Sequence, residues 1–369
     1  MEKCKNLKWM DLYKELEELV EKNPDIIIHD KVIEIPSANK SKFYFLFDML
    51  RDAFIKEEFT EWLKKAELLS TAYLKVEQDL IRLLDLKQIF MPNNIKRFLN
   101  DPLDQLRRGI FDLLFDLIGG ETEIQDFIIK ARDKIDFSFR QLYKQGFNKW
   151  IALALLKQFE PDEIFHVPLD KLDSKQVIKR SVSAKEVLPF PIKSKDLYFE
   201  IGARKALLTP DAIIHSAKMN KYVSFRTELG RAMWQANSYS DKREWYSIRS
   251  LMEQYGVAEI RPDILIYIGD NMEDIALIAD SERICRPDIL VECIDDINID
   301  DTLLREKIEQ INLHYTTLNP TLGGFTISKQ EMSKHISGEL KREIKLLDIN
   351  FQKETRLESI VKLAKYPDV

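Results

Sequence analysis

The chain has 369 residues, of which 45% are hydrophobic and 32% are charged, and its formal net charge is −6. This length is enough for two domains of ordinary size, and the composition excludes wholesale disorder. The negative net charge argues against a general nucleic-acid coat protein, which would be strongly basic.

Helical periodicity dominates the first 158 residues. Leu12, Leu16 and Leu19 predict a helix over residues 9–22, and residues 25–35 predict a β-hairpin that turns at Asp30-Lys31. Further helices are predicted over residues 41–86, 94–99, 102–118, 122–135 and 137–158. Because no chemical motif falls here, we expect residues 1–158 to form a mainly helical domain that offers a surface for a homodimer or a protein partner.

The remaining residues, 159–369, alternate between strand-like and helix-like patterns and predict a second domain of the α/β type. Strands are predicted at residues 163–169, 262–268, 274–279, 287–294 and 323–328, and a hairpin pairs 197–201 with 206–215. Helices are predicted at residues 224–255, 301–315 and 329–365. The polar residues 170–195 between them are typical of a linker or a clamp loop.

The location of the protein is indicated by what the sequence lacks. It contains no 18-residue apolar run and no apolar signal core near Met1, so we expect neither a membrane span nor secretion. Its three cysteines are odd in number and match no zinc spacing, which indicates reduced thiols in a cytoplasmic setting. The phosphate-binding loops typical of ATP and NAD sites are absent as well.

One pentapeptide, Arg-Pro-Asp-Ile-Leu, occurs twice, at Arg261–Leu265 and at Arg286–Leu290. Each copy begins an apolar run that is typical of a buried strand. The second run carries Glu292, and an acid inside an apolar strand costs free energy unless a positive group pairs with it. A divalent cation is one such partner, and a buried salt bridge to Arg261 or Arg286 is another. A Pro-Asp step alone also has a simpler explanation, because Asp often caps turns.

Charge is distributed unevenly over the second half of the chain. Residues 171–250 contain 16 Lys and Arg against 8 Asp and Glu, whereas residues 251–300 contain 3 against 13. A basic segment beside an acidic one suits a metal-dependent enzyme that acts on phosphodiesters, since one part attracts phosphate and the other binds the cation. Solvated charged faces would give the same pattern.

Together, the order helix, three strands, helix, strand and the Pro-Asp steps resemble the PD-(D/E)xK nuclease superfamily over about residues 225–330. The resemblance implies a restriction-endonuclease-like mixed sheet flanked by helices. Pro262-Asp263 is similar to the Pro-Asp strand of that superfamily, and the run from Pro287 to Ile294 is similar to its acid-x-Lys strand. Ile294 stands where the superfamily has Lys. Gln310 and Tyr315 resemble residues of the helix that follows.

By this resemblance, Asp263, Asp288 and Glu292 would bind Mg²⁺ or Mn²⁺, for which carboxylate oxygens are suitable ligands. Glu228 would be the supporting acid, in a segment from Arg226 to Arg231 that resembles the first helix. In a second register, Asp263 would pair with Asp280 instead. Lys307 on the following helix is the candidate to replace the missing Lys in positioning the attacking water, and Lys218 is a weaker one.

The segment from Arg231 to Arg249 interleaves cations with aromatic residues, a pattern that can bind phosphates and stack bases. Packing of the Trp residues into a core would produce the same pattern. The candidate nucleic-acid ligands are Arg226, Arg231, Trp234, Lys242, Arg243 and Arg249.

Three functions are consistent with the sequence. The first is a metal-dependent nuclease that acts on DNA, with Asp263, Glu292, Lys307 and Glu228 as its catalytic residues. The second is a catalytically inactive nuclease-like module that binds nucleic acid or a protein partner. The third is an assembly protein whose contacts come from the helical region.

Overall fold

The computed structural model describes residues 8–29, 32–166, 191–199, 210–227, 245–247, 253, 254, 256, 262–275, 283–295, 301–329, 336, 338–351 and 354–366. The chain divides into two compact units. Unit 1 comprises Met1–Thr71 and Asn93–Gly146, and unit 2 comprises Ala72–Pro92 and Phe147–Val369. Within the described ranges, no helix is long and apolar enough to cross a membrane.

Unit 1 is built almost entirely from helices. Its complete helices are α1 (Trp9–Glu21), α2 (Ser37–Glu58), α4 (Asn93–Asn100), α5 (Pro102–Gly109) and α6 (Phe111–Ile118). Two longer helices, α3 (Thr60–Leu84) and α7 (Ile124–Gln158), contain the residues at which the division into units falls. The hairpin β1 (Ile27–His29) and β2 (Val32–Glu34) confirms the predicted hairpin.

An aromatic core holds unit 1 together. Trp9 of α1 meets the Phe54 ring edge-on at a centroid distance of 5.3 Å, and Phe54 lies 5.2 Å from Phe127. A second group joins α2 to α6, where Phe47 and Phe115 stack at 4.5 Å. The aromatic side chains of the helical region that pack in this way therefore form core, as their helical spacing indicates.

Unit 2 contains a mixed sheet of eight strands. Its strands, in spatial order, are β14 (Ile344–Ile349), β13 (Gly323–Lys329), β12 (Ile289–Ile294), β10 (Ile264–Gly269), β8 (Lys221–Thr227), β7 (Ala212–Ser216), β4 (Pro161–His166) and β5 (Ile192–Lys193). Two short pairs accompany it: β3 (Gln88–Phe90) with β6 (Asp196–Tyr198), and β9 (Trp245–Ser247) with β11 (Arg283–Cys285).

The direction of the strands changes at β12. From β5 to β12 each neighbouring pair is antiparallel, whereas β12, β13 and β14 are parallel. A parallel pair needs a crossover, and α8 (Asp301–Leu318) provides it between β12 and β13. All six residues of β12 are buried, so this strand is covered on both faces and the charge of Glu292 lies inside the protein.

The helix α8 forms where apolar residues recur at intervals of three and four. Leu304, Ile308 and Ile311 are buried and pack against Ile294 of β12. Asp301 in the first turn suits the positive end of the helix dipole. A last described helix, α9 (Glu358–Lys365), follows a short 3₁₀-helix at Glu354–Leu357.

Several sequence predictions for unit 2 are wrong. Residues 221–227 and 245–247, predicted as helix in part or in whole, are strands, and so are residues 344–349. The strand β7 pairs with β4 and β8 rather than with residues 197–201. The predicted strand at 274–279 begins in a 3₁₀-helix, Met272–Asp274, and residues 276–279 lie outside the described part of the chain. Packing against neighbours overrode local propensity at these places.

Candidate functional site: a buried carboxylate–lysine cluster

Three Pro-Asp steps of unit 2, at Asp211, Asp263 and Asp288, perform the same local task. The proline precedes or opens a strand, where its missing N–H is not required. The carboxylate that follows accepts a backbone N–H from a neighbouring strand: Asp211 from Thr227, Asp263 from Cys293 and Asp288 from Ile268. The repeat of the pentapeptide is therefore explained by strand pairing, and repetition alone does not mark a catalytic residue.

Asp263 differs from the other two because Lys307 and Asn148 also donate hydrogen bonds to its carboxylate. Its Oδ2 accepts the N–H of Cys293 at 2.9 Å and a hydrogen bond from Lys307 Nζ at 3.2 Å. Its Oδ1 accepts a hydrogen bond from Asn148 Nδ2, on α7, at 3.0 Å. With 7% of its surface exposed, Asp263 is nearly enclosed by these donors.

Glu292 lies fully buried in the middle of β12. Lys307 Nζ donates to its Oε2 at 3.1 Å, and His314 Nδ1 lies 2.7 Å from its Oε1. Both oxygens of this carboxylate are therefore occupied by groups from α8. Lys307 and His314 are seven residues apart, which places them two turns apart on one face of that helix.

A single ammonium group thus joins the two carboxylates. Burial alone would lower the pKa of Lys307, but Asp263 and Glu292 outweigh that effect and raise it above its usual value. Lys307 therefore stays charged over the whole physiological pH range. The structure brings together three of the four predicted catalytic residues, while Glu228 lies outside the described residues.

The residue at the position of the missing Lys has a different environment. Ile294 is 1% exposed and packs in a cluster with Leu304, Ile308 and Ile311 of α8. A side chain at 294 lies on the same strand face as one at 292. Lys307 therefore delivers an ammonium group from the helix to the carboxylate of the strand, while Ile294 serves the apolar contact between the two elements.

Two other predicted residues do not join this cluster. Asp288 lies four residues before Glu292, which corresponds to about 13 Å along a strand. Its carboxylate accepts hydrogen bonds from the Ile268 N–H at 2.6 Å and from the Thr321 hydroxyl at 2.7 Å. The structure does not bring Asp288 to Asp263 and Glu292, because sharing a strand face does not bring residues i and i+4 together, so its support of the same metal stays a prediction.

Lys218, the weaker candidate for the missing Lys, is also elsewhere. It pairs with Glu160 at 2.7 Å and with Glu358 at 3.6 Å. Asp280, the acid of the second register, lies outside the described residues.

Most of the predicted nucleic-acid ligands lie outside the part of the chain that the structure describes. Arg231, Trp234, Lys242, Arg243 and Arg249 lie outside the described residues. Arg226 lies in β8 rather than in the predicted helix and is 1% exposed, so the helical assignment is wrong here, while its role as a nucleic-acid ligand stays a prediction. Strand pairing with β7 and β10 encloses it.

Two residues of the cluster were missed from the sequence. His314 could have been found by its spacing of seven from Lys307 on a predicted helix. Asn148 lies beside Lys149 in an otherwise apolar stretch of α7, and both are buried. Lys149 donates to the Thr227 hydroxyl at 3.0 Å. Polar residues inside an apolar helical run indicate buried hydrogen-bond partners. The sequence therefore contained a signal for Asn148 and Lys149.

The carboxylates of Asp263 and Glu292 fit part of what a divalent cation requires. Two carboxylates with convergent oxygens satisfy what Mg²⁺ takes from a protein, because waters and substrate phosphates complete its shell. Among the side chains that the structure describes, however, no group of three or more His, Cys, Asp or Glu is arranged to hold a metal ion. A cation at Asp263 and Glu292 would therefore replace Lys307 on at least one of these carboxylates.

Charge counting is consistent with such an exchange. Two carboxylates and one ammonium group leave a net charge of −1 when His314 is neutral, and a buried net charge is unfavourable.

Protein-family models, curated proteins and solved structures were compared with the chain, and none of them matches it.

Proposed function

We propose that the chain is a metal-dependent nuclease that hydrolyses phosphodiester bonds, with DNA as its substrate. The observation that carries the proposal is the convergence of Asp263, Glu292 and Lys307 from three separate elements. The order β10, β12, α8 and β13 in a mixed sheet adds support, because the resemblance implies a Pro-Asp strand, an acid-bearing strand, a helix and a strand. Residues 224–227, where the resemblance implies the first helix, belong to the strand β8.

In this proposal each residue has a defined task. Asp263 and Glu292 would hold Mg²⁺ or Mn²⁺, which when bound supplies positive charge next to the scissile phosphate. Asn148 and His314 keep the two carboxylates in place from the sides that Lys307 does not occupy. Lys307, released from one carboxylate, would orient the attacking water and stabilise negative charge on the phosphate.

The test is metal-dependent cleavage of single- and double-stranded DNA by the wild type, Asp263→Asn and Glu292→Gln. Both substitutions keep the size of the side chain and remove its charge. Asp270→Asn is the matched control, because Asp270 is largely exposed and pairs only loosely with Lys221 at 3.3 Å. We expect cleavage by the wild type and the control and at least a hundredfold loss in the two site variants, on the order of the effect of removing one catalytic electrostatic group.

Binding of Mn²⁺ by titration calorimetry provides a second measurement that does not depend on the substrate. The wild type should bind Mn²⁺, and Glu292→Gln should bind it at least about tenfold more weakly. Absence of Mn²⁺ binding by the wild type, with and without DNA, would remove the basis for a nuclease.

A nuclease-like module without catalysis is the second candidate, and one observation favours it. The carboxylates of Asp263 and Glu292 are already satisfied by Lys307, Asn148 and His314, as in a purely structural ion-pair network. This alternative predicts salt-sensitive DNA binding that needs no metal and that persists in Asp263→Asn. DNA binding without cleavage in the presence of each metal ion tested would support the non-catalytic module.

A further inference from the structure

Arg226 is enclosed within unit 2, yet its guanidinium group has no hydrogen-bond partner among the residues that the structure describes. The residue is 1% exposed, and this absence applies to all three guanidinium nitrogens. An ionised group in such a position costs free energy unless an anion or several acceptors compensate it. A buried arginine with its whole donor fork unused is therefore a strong indication of a ligand.

The surroundings of Arg226 define one side of a site. Its guanidinium carbon lies 5.4 Å from the centre of the Tyr267 ring, in a cation–π contact. The hydroxyl of Tyr267 donates to the carbonyl oxygen of Cys285 at 3.1 Å, which fixes the ring. Tyr267 pairs with Ser224 across β8 and β10, and Ser224 lies on the same strand face as Arg226.

Ser224 supplies a second unused polar group. Its hydroxyl oxygen is buried and makes no hydrogen bond within the part of the chain that the structure describes. The two orphaned groups, a planar cationic fork and a hydroxyl two residues away, form a donor set that an oxyanion would satisfy. Burial lowers the pKa of Arg226, whose electrostatic neighbours are Tyr267 and Cys285. An added anion would restore the stability of the charged form.

We propose that Arg226 and Ser224 bind a phosphate group inside unit 2, separately from the carboxylate–lysine cluster. Both residues belong to the segment 171–250, which contains 16 Lys and Arg but only 8 Asp and Glu. This excess of positive charge attracts anions to this part of the chain. The choice of phosphate over a carboxylate ligand rests on the proposed function, in which the substrate is a nucleic acid.

The experiment measures phosphate binding without metal and without cleavage. Inorganic phosphate is titrated into the wild type, Arg226→Met and Arg226→Lys by calorimetry, and thermal unfolding is followed at constant ionic strength in phosphate, acetate and chloride. Arg132→Met is the control, because Arg132 is exposed and pairs with Glu58. Met keeps an unbranched apolar side chain but removes the charge and all donors, whereas Lys keeps the charge and loses the fork.

We expect phosphate, but not acetate, to stabilise the wild type and the control. Arg226→Met should bind phosphate about 10- to 100-fold more weakly, as expected for loss of hydrogen bonds to a charged group. In chloride it should be at least as stable as the wild type, because the substitution removes an unpaired buried charge. If Arg226→Met does not fold, weakened binding by Arg226→Lys carries the same information.

Other outcomes would overturn the proposal. These are no phosphate binding by the wild type, equal binding by Arg226→Met, or equal stabilisation by acetate. A short oligonucleotide that displaces phosphate identifies the ligand as a nucleic-acid phosphate, and persistence of phosphate binding in its presence identifies free phosphate. Phosphate binding retained in Asp263→Asn would separate this site from a failure of the nuclease proposal.

Discussion

Replacing Lys307 by Met tests the central contact of the site. The substitution keeps an unbranched side chain of similar length but removes the ammonium group that Asp263 and Glu292 share at 3.2 and 3.1 Å. At these distances the Coulomb attraction of each ion pair is about 5 kcal/mol at an effective dielectric constant near 20, and desolvation of the charged groups offsets much of this. Removing one partner of a buried ion pair costs about 3–5 kcal/mol, and we expect this loss in Lys307→Met.

The assay is unfolding in urea and by heat. For a unit of this size, the expected loss corresponds to a decrease of roughly 10 °C in the melting temperature. Lys193→Met is the matched control, since Lys193 is exposed and pairs with Glu163 at the surface, and its melting temperature should stay that of the wild type. A loss below about 1 kcal/mol in Lys307→Met would refute the buried ion pair.

The pH dependence of the same variant provides an independent check. The pKa of Lys307 is raised in the folded protein, so its stabilisation is complete below the usual pKa of lysine, about 10.4, and is lost as the pH rises above it. The difference in unfolding free energy between wild type and Lys307→Met should therefore be constant from pH 7 to about pH 10. A difference that vanishes between pH 7 and 9 would contradict the assignment of the pKa shift.

Two further predictions concern the contacts of α8. Gly324→Ala should destabilise unit 2 by about 1–3 kcal/mol in urea unfolding, because an added Cβ would overlap the Tyr315 ring, whereas Gly338→Ala, which has open space, should not destabilise it. Equal stability of the two Ala variants would contradict the close packing of α8 on β13. His314→Phe should weaken Mn²⁺ binding about tenfold through loss of the contact with Glu292, and His314→Gln should retain more of it, as titration calorimetry would show. Unchanged affinity in both variants would mean that His314 does not position Glu292.

Sequence periodicity was sufficient to predict those helices and strands whose residues follow a regular apolar pattern. The helix of residues 301–318 followed from Leu304, Ile308 and Ile311, and the strands β10, β12 and β13 followed from apolar runs after turn residues. The need of Glu292 for a positive partner could also be predicted, because an acid inside an apolar strand costs too much free energy without one. Lys307 was predicted only as the replacement for the missing Lys, whereas the predicted partners of Glu292 were a divalent cation, Arg261 or Arg286.

The sequence by itself therefore determined that unit 2 is a mixed α/β unit, and it determined which acidic residue needed a partner. Only the tertiary structure decided what that partner is and which Pro-Asp step joins it. Asp211, Asp263 and Asp288 have the same local pattern, yet only Asp263 reaches Lys307, because strand order and the crossover of α8 place them together. Such contacts join residues 15 to 115 positions apart, and local periodicity contains no information about them.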